Sequence, residues 1–327
     1  FEFRMLILSA SDVKRALPMR AAIDSQKRAF SSLTTGTATL PLRTAVPVPS
    51  QDAVTLFMPA RVSDDLGAKI VSVFPKNIPN GLPMIHGLVI MVDSTTGQPL
   101  AVMDATYLTA LRTGAGAGAA TELLARPDSR TAAIIGAGAQ ARTQLLAVCE
   151  ARPIERAFIF SRNPDHVQSF IAEMQPLVRA TLAVAQSSAE AIRDADVICA
   201  ATTSNTPVFD GARLKPGAHV NGVGSYTLNM QEVDAETIRR AARVFVDTKE
   251  SALAEAGEVV AAIHQGVISQ NDLIEIGAVA AGQHAGRASP DEITFFKSGG
   301  IAAQDVAAGG EVLRRARQLN LGVEVGL

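Results

Sequence analysis

Three cations stand where a solvated surface residue is only one of the readings. Lys69 lies inside the apolar run "LGAKIVSVFP", Arg43 in the proline-flanked "LPLRTAVP", and Arg112 among small residues in "TALRTGAGAGAA". A lysine in the middle of an apolar strand is either on an exposed edge or buried for a purpose. Burial weakens its hold on the proton, which lets it act as acid or base near neutral pH. An arginine beside a small-residue helix can grip a carboxylate through parallel N–H donors. Spacing alone does not bring the three together.

A second pattern is "AAIIGAGAQARTQLL", residues 132–146. The run "TAAII" supplies a strand, Gly136 a tight turn, and Gly138 a place where backbone can approach a pyrophosphate. Ala141 stands where the third glycine usually is, a small residue that still lets helix and strand pack. The helix beginning near Ala139 and Gln140 offers free N–H groups and a positive dipole end to phosphates. The next strand ends in Ser161, Arg162 and Asn163, where NAD-binding folds usually carry an acid. No carboxylate there repels a 2′-phosphate. Arg162 either pairs with one or is simply solvated. The cofactor expected is therefore NAD(P)H, with NADH and NADPH both open. Thr202 and the run Val223, Gly224 and Ser225, near later strand ends, are further candidate contacts.

The elements that must position these groups change along the chain. "SDVKRALPMRAAIDSQKRAFSSL" predicts a helix led by Ser11 as N-cap. "AVTLFMPARV", "LGAKIVSVFP" and "HGLVIMVDSTTGQPLAVMD" read as strands, the last a hairpin around "STTGQP". Residues 105–124 have helical spacing. From "TAAIIGAG" onward, strands alternate with short helices, the pattern of βαβ units and a parallel sheet. The tail "DVAAGGEVLRRARQLNLG" is an amphipathic helix. The chain is thus read as α/β, with a Rossmann-type domain at residues 115–301. Phe1 to Arg4, ahead of Met5, are left out of the functional reading.

Composition excludes some partners. A net charge of −2 with 19% charged residues gives no electrostatic reason to expect nucleic acid or an anionic membrane. No apolar run is long enough to span a bilayer, and no secretory leader pattern is visible, so a cytoplasmic location is expected. Cys149 and Cys199 read as small buried apolar residues, and the histidines show no metal-ligand spacing.

The runs "GLPMIHGLVIMVDSTTGQPLAVMDATYLTALRTGAGAGAATELLAR" and "AAIIGAGAQA" resemble the ornithine cyclodeaminase/mu-crystallin family. "GVGSYTLNMQEVD" and "ITFFKSGGIAAQDVA" match later family segments, so the resemblance covers nearly the whole chain. It implies that the Rossmann domain is inserted in an α+β substrate and dimerisation domain formed by residues 1–114 with 302–327, and that the chain is a homodimer with active sites in a cleft between the two domains. It also implies that Arg43, Lys69 and Arg112 bind the substrate carboxylate and transfer a proton, with Met58 lining the site. Arg112, Thr113 and Gly114 would approach the cofactor. Two departures from the family pattern bear on function. Family members that cyclise ornithine carry an aspartate at the place of Ser225-Tyr226 and a glutamate at the place of Leu56. Without those acids, a cationic substrate amine lacks its counter-charge. The expected activity is NAD(P)H-dependent reduction of a small imino acid, such as pyrroline-2-carboxylate or iminosuccinate. A second substrate carboxylate would call on Lys76, His86 or Tyr226. Cyclodeamination, alanine dehydrogenase-type oxidation, a non-catalytic NADPH-binding protein and a ligand-free Rossmann fold are the alternatives.

Overall fold

The computed structural model describes residues 4–326. It divides into two compact units, Phe1–Arg112 with Ile301–Leu327, and Thr113–Gly300. The long helix Ala105–Leu124 contains the first boundary. The chain has the α/β class read from its sequence.

The first unit is built on a mixed eight-stranded sheet. Its centre is an antiparallel series, Ala53–Val62, Asp65–Val73, Ile85–Asp93 and Pro99–Asp104. The hairpin joining the last two is tied by the Asp93 carboxylate, which accepts from the backbone N–H groups of Thr95 and Thr96. Arg4–Leu8 adds to Pro99–Asp104 in parallel and pairs with Val323–Gly326 on its other side. Arg4 therefore belongs to the sheet, although the sequence reading set it aside with Phe1–Phe3, which lie outside the described residues.

The first helical stretch differs from expectation. It is two helices, Ala10–Ala16 and Met19–Thr34, broken at Pro18. Proline has no N–H and pushes the residue before it away from helical geometry. The N-cap is Ser9 rather than Ser11. Its hydroxyl accepts from the Asp12 N–H while the Asp12 carboxylate accepts from the Ser9 N–H.

One face of the sheet is covered by the helix Ala302–Gln318, packed in turn on Met19–Thr34. The covered face is the odd-numbered one, carrying Lys69, Val71, Val89, Met91 and Met103. Gly309 of the helix permits this contact: a side chain there would meet Met91 Sδ at 2.8 Å and Val89 Cγ1 at 3.1 Å.

The second unit holds an eight-stranded sheet in which every neighbouring pair is parallel. Its first five strands run Thr181–Val184, Arg156–Phe160, Thr131–Ile135, Val197–Ala200 and His219–Gly222 in space. The order reverses between Thr131–Ile135 and Val197–Ala200, the switch point where open α/β sheets bind ligands at their carboxyl ends. Ile293–Lys297 and Leu273–Glu275 are also strands of this sheet. The sequence series omitted them. Cys199 is buried and Cys149 half-buried, and burial pushes both thiols up to about 12.

Filling the Gly309 contact tests this packing. Gly309→Val should destabilise the chain by about 1–3 kcal/mol, the usual range for an overpacked core. Chemical denaturation of the two proteins measures the difference.

Candidate functional site

Lys69 sits at the middle of Asp65–Val73, directly opposite Met58 on one side and Val89 on the other. On the far side of Ala53–Val62, Thr44 pairs with Phe57. Arg43 immediately precedes the strand Thr44–Val48, and its charge acts on Lys69. A single row across the sheet reads Met58, Lys69, Val89. Strand alternation puts Leu56 on the same face, opposite Val71. The position where family cyclases have a glutamate therefore lies beside this row and is apolar here.

Against the row stands the first turn of Ala302–Gln318. Lys69 Nζ is 2.8 Å from Asp305 Oδ2, and Arg112 Nε donates to Asp305 Oδ1 at 2.8 Å. The Lys69 side chain is 2% exposed and that of Asp305 0%. Arg112 Nη1 also donates to Gln304 Oε1 at 3.3 Å. Gln304 Oε1 accepts from the Ile301 N–H too, and its backbone carbonyl accepts from Gln26 Nε2, so the turn is fixed from both sides. Burial pushes the Lys69 ammonium down to about 8. Asp305 pulls against that shift, and the positive charges of Arg112 and Arg43 reinforce it. Lys69 and Arg112 thus share one carboxylate, and the positive charge of Arg43 also reaches Lys69.

Asp305 and Gln304 were invisible to the sequence reading, which took the tail only as an amphipathic helix. The available signal was an acid within the apolar stripe of Ala302, Val306 and Gly309. The histidine and lysine offered for a second carboxylate lie elsewhere. His86 pairs with Ser72 and points to the sheet face opposite Lys69. Lys76 is exposed and donates to the Ser50 carbonyl. Tyr226 is an exposed residue of the second unit.

In the second unit, the turn after Thr131–Ile135 opens onto a cleft of about 440 Å³. Gly136, Gly138, Ser161, Arg162 and Thr202 line it, together with His166. Gly136 has φ +114°, and a Cβ on it would meet the Ala201 carbonyl oxygen at 2.5 Å, so glycine is required. Gly138 is the N-cap of the helix Ala139–Ala151 and supplies no side-chain acceptor. A Cβ at Gly138 would meet nothing within 4 Å and would project into open space. A backbone cradle of this shape, at a helix N-terminus, fits a dinucleotide pyrophosphate.

Other candidate contacts lie off the lining of this cleft. Ala139 and Gln140 begin the helix but are not among the residues lining the cleft. Asn163 caps the helix Pro164–Met174, accepting from the Asp165 N–H. Gly114 serves helix packing: a Cβ there would meet the Thr143 carbonyl oxygen at 2.5 Å. Thr113 beside it is buried. Arg112 belongs to the first unit's charge cluster. Val223, Gly224 and Ser225 also lie off the lining, drawn inward by an acid the sequence reading passed over. Glu232 accepts from the N–H and hydroxyl of Thr202 and from the N–H groups of Gly224 and Ser225. Burial raises its pKa. The Ser225 hydroxyl bonds Glu258, and Lys297 Nζ donates to Ser225 at 2.6 Å. These residues lock two strand ends together.

The family model "Ornithine cyclodeaminase/mu-crystallin family" matches residues 4–320. A Delta(1)-pyrroline-2-carboxylate reductase of Bacillus cereus is 35% identical over 324 residues, covering 98% of this chain and 99% of that protein. The structure of Thermococcus litoralis Delta(1)-pyrroline-2-carboxylate reductase in complex with NADH and L-proline has a TM-score of 0.93. Its identity is 39%, covering 98% of this chain and 100% of that one. An archaeal alanine dehydrogenase dimer with bound NAD follows at TM-score 0.92 and 34% identity, covering 99% of each chain.

The buried ammonium has a consequence for stability. Lys69 binds its proton less tightly folded, at about 8, than unfolded, near the ordinary 10.5. Between those values the unfolded chain holds more protons, so the Lys69 contribution to stability rises with pH. Melting curves of the native protein and Lys69→Met across that window should show this rise only in the native protein.

Proposed function

The chain belongs to the ornithine cyclodeaminase/mu-crystallin family, and on that premise we propose that it reduces a small cyclic imino acid with NAD(P)H. Pyrroline-2-carboxylate is the substrate the reading favours. The carrying observation is the buried pair Lys69 and Arg112 sharing the carboxylate of Asp305, with the buried Met58 opposite Lys69 and an apolar Leu56 on the same face. A diamino acid would bring a second ammonium into this cluster, and the neighbouring Leu56 offers no acid to receive it. An imino acid brings one carboxylate and a compact apolar ring. The similar reductases from Bacillus cereus and Thermococcus litoralis support the reading.

In the first unit, Arg43 and the donors of Arg112 pointing away from Asp305 would hold the substrate carboxylate. Their contribution is positioning, which fixes the C=N carbon and nitrogen in one orientation. Met58 would pack on the ring. Lys69 Nζ would give its proton to the imine nitrogen, because an iminium carbon accepts hydride more readily than an imine. In the second unit, the Gly136–Gly138 turn and the start of Ala139–Ala151 would hold the pyrophosphate, with Ser161 and Arg162 at the ribose end. The reduced nicotinamide, when bound, supplies the hydride. The overall balance is imino acid, NAD(P)H and a proton giving amino acid and NAD(P)⁺.

A homodimer is part of this reading. The sheet face opposite Lys69 carries Phe57, Leu66, Ile70, Leu88, Ile90 and Val102, none fully buried. Their register aligns Phe57, Ile70 and Leu88 in one row and Ala68, Ile90 and Val102 in the next. A continuous apolar face of this kind calls for a partner. The dimeric state of the alanine dehydrogenase supports a second copy of the chain. Among the described residues, no helix is long and apolar enough to cross a membrane, and two unpaired cysteines suit the reducing cytoplasm.

Purified protein should oxidise NADH or NADPH with pyrroline-2-carboxylate and form proline. Lys69→Ala should lower kcat about 10²–10⁴-fold, the range for a lost proton donor. Unchanged turnover in Lys69→Ala would remove the lysine from the mechanism. Turnover of ornithine or alanine with NAD⁺, without imine reduction, would replace the reading with an oxidative one. Leu88→Glu should convert a dimer into a monomer by light scattering; a native protein already monomeric would refute the dimer.

A further inference from the structure

We propose that Asp305 is a positioning residue for proton donation: it keeps Lys69 charged and aimed. This deepens the imino acid reading and rests on it for the identity of the substrate.

The geometry is specific. Each carboxylate oxygen of Asp305 serves a different cation, Oδ2 for Lys69 and Oδ1 for Arg112, both at 2.8 Å. An amide could accept through only one of its two terminal atoms. Asp305 also lies in the first turn of a 17-residue helix, where the backbone dipole favours an anion. The carboxylate is wholly buried, so water cannot take its place.

Lys69 needs such a partner. Its neighbours across the sheet, Met58 and Val89, are apolar. Arg112 and Arg43 repel its proton, Gln304 beside them is neutral, and Asp305 is the one strongly acting group that favours the charged form. Without Asp305, burial and two guanidinium groups would strip the ammonium in the pH range where a donor must be charged. When the Nζ–H bond breaks and the imine N–H bond forms, Lys69 is left neutral beside Asp305, and a solvent proton restores the ammonium.

The test is the pH profile of kcat/KM for imine reduction, with thermal melting to confirm folding. The native protein should lose activity above about pH 8, where Lys69 deprotonates. In Asp305→Asn that alkaline limb should move down by about one unit or more, a tenfold weaker hold on the proton. Asp305→Glu, which keeps the charge, should bring the limb back toward its native position even if KM rises. A folded Asp305→Asn protein with an unmoved limb overturns the proposal. Lys69→Arg covers the case of an unfolded Asp305→Asn chain. It leaves Asp305 in place and should abolish the limb, because guanidinium keeps its proton; a limb that survives overturns the proposal equally. Binding of pyrrole-2-carboxylate by calorimetry supplies a readout without turnover. It should weaken above about pH 8 in the native protein, and at lower pH in Asp305→Asn. That shift in a protein that reduces no imino acid would keep the role of Asp305 and discard the substrate.

Discussion

Two buried cations held by the two oxygens of one carboxylate set the terms for the first unit. Breaking a buried charge pair by removing one partner costs about 3–5 kcal/mol, since the charge left behind has no water to solvate it. The surrounding architecture follows from that constraint. The helix Ala302–Gln318 must reach the sheet closely enough for Asp305 to touch Lys69, and Gly309 allows that approach. Gln304 and Gln26 then fix the turn that carries the carboxylate.

The second unit solves a different problem with the same kind of device. A parallel sheet ends in loops whose backbone groups have no partners of their own. Glu232 collects four donors from two such loops, and Lys297 with Glu258 secures Ser225 behind them. The cleft at the glycine turn keeps its shape because these loops are tied from inside. In each unit a buried acid is the organiser, and exposed charge contributes little to the site.

Much of this was legible in the sequence, for identifiable reasons. The helix at residues 105–124, the hairpin around "STTGQP" and the strand–turn–helix at Gly136 carry local signals that tertiary packing did not override. The lysine in an apolar strand announced a buried charge. Its counter-ion did not, because Asp305 lies 236 positions away on a helix whose pattern signals only amphipathicity. For the same reason nothing local marks Glu232 as the acceptor of the Gly224 and Ser225 N–H groups. Ser11 failed as a cap because Ser9, two residues earlier, completes a reciprocal bond with Asp12. Long-range polar pairing was the main part of the site that periodicity and motif could not supply.

The central claim is hydride addition to an imino carbon beside a carboxylate. Its most direct measurement follows the label from NADH deuterated at the reactive ring carbon, with pyrroline-2-carboxylate as acceptor. The account predicts proline carrying one deuterium at its α-carbon, by mass spectrometry and NMR. Proline without the label, or no proline from any reduced nicotinamide, would contradict it.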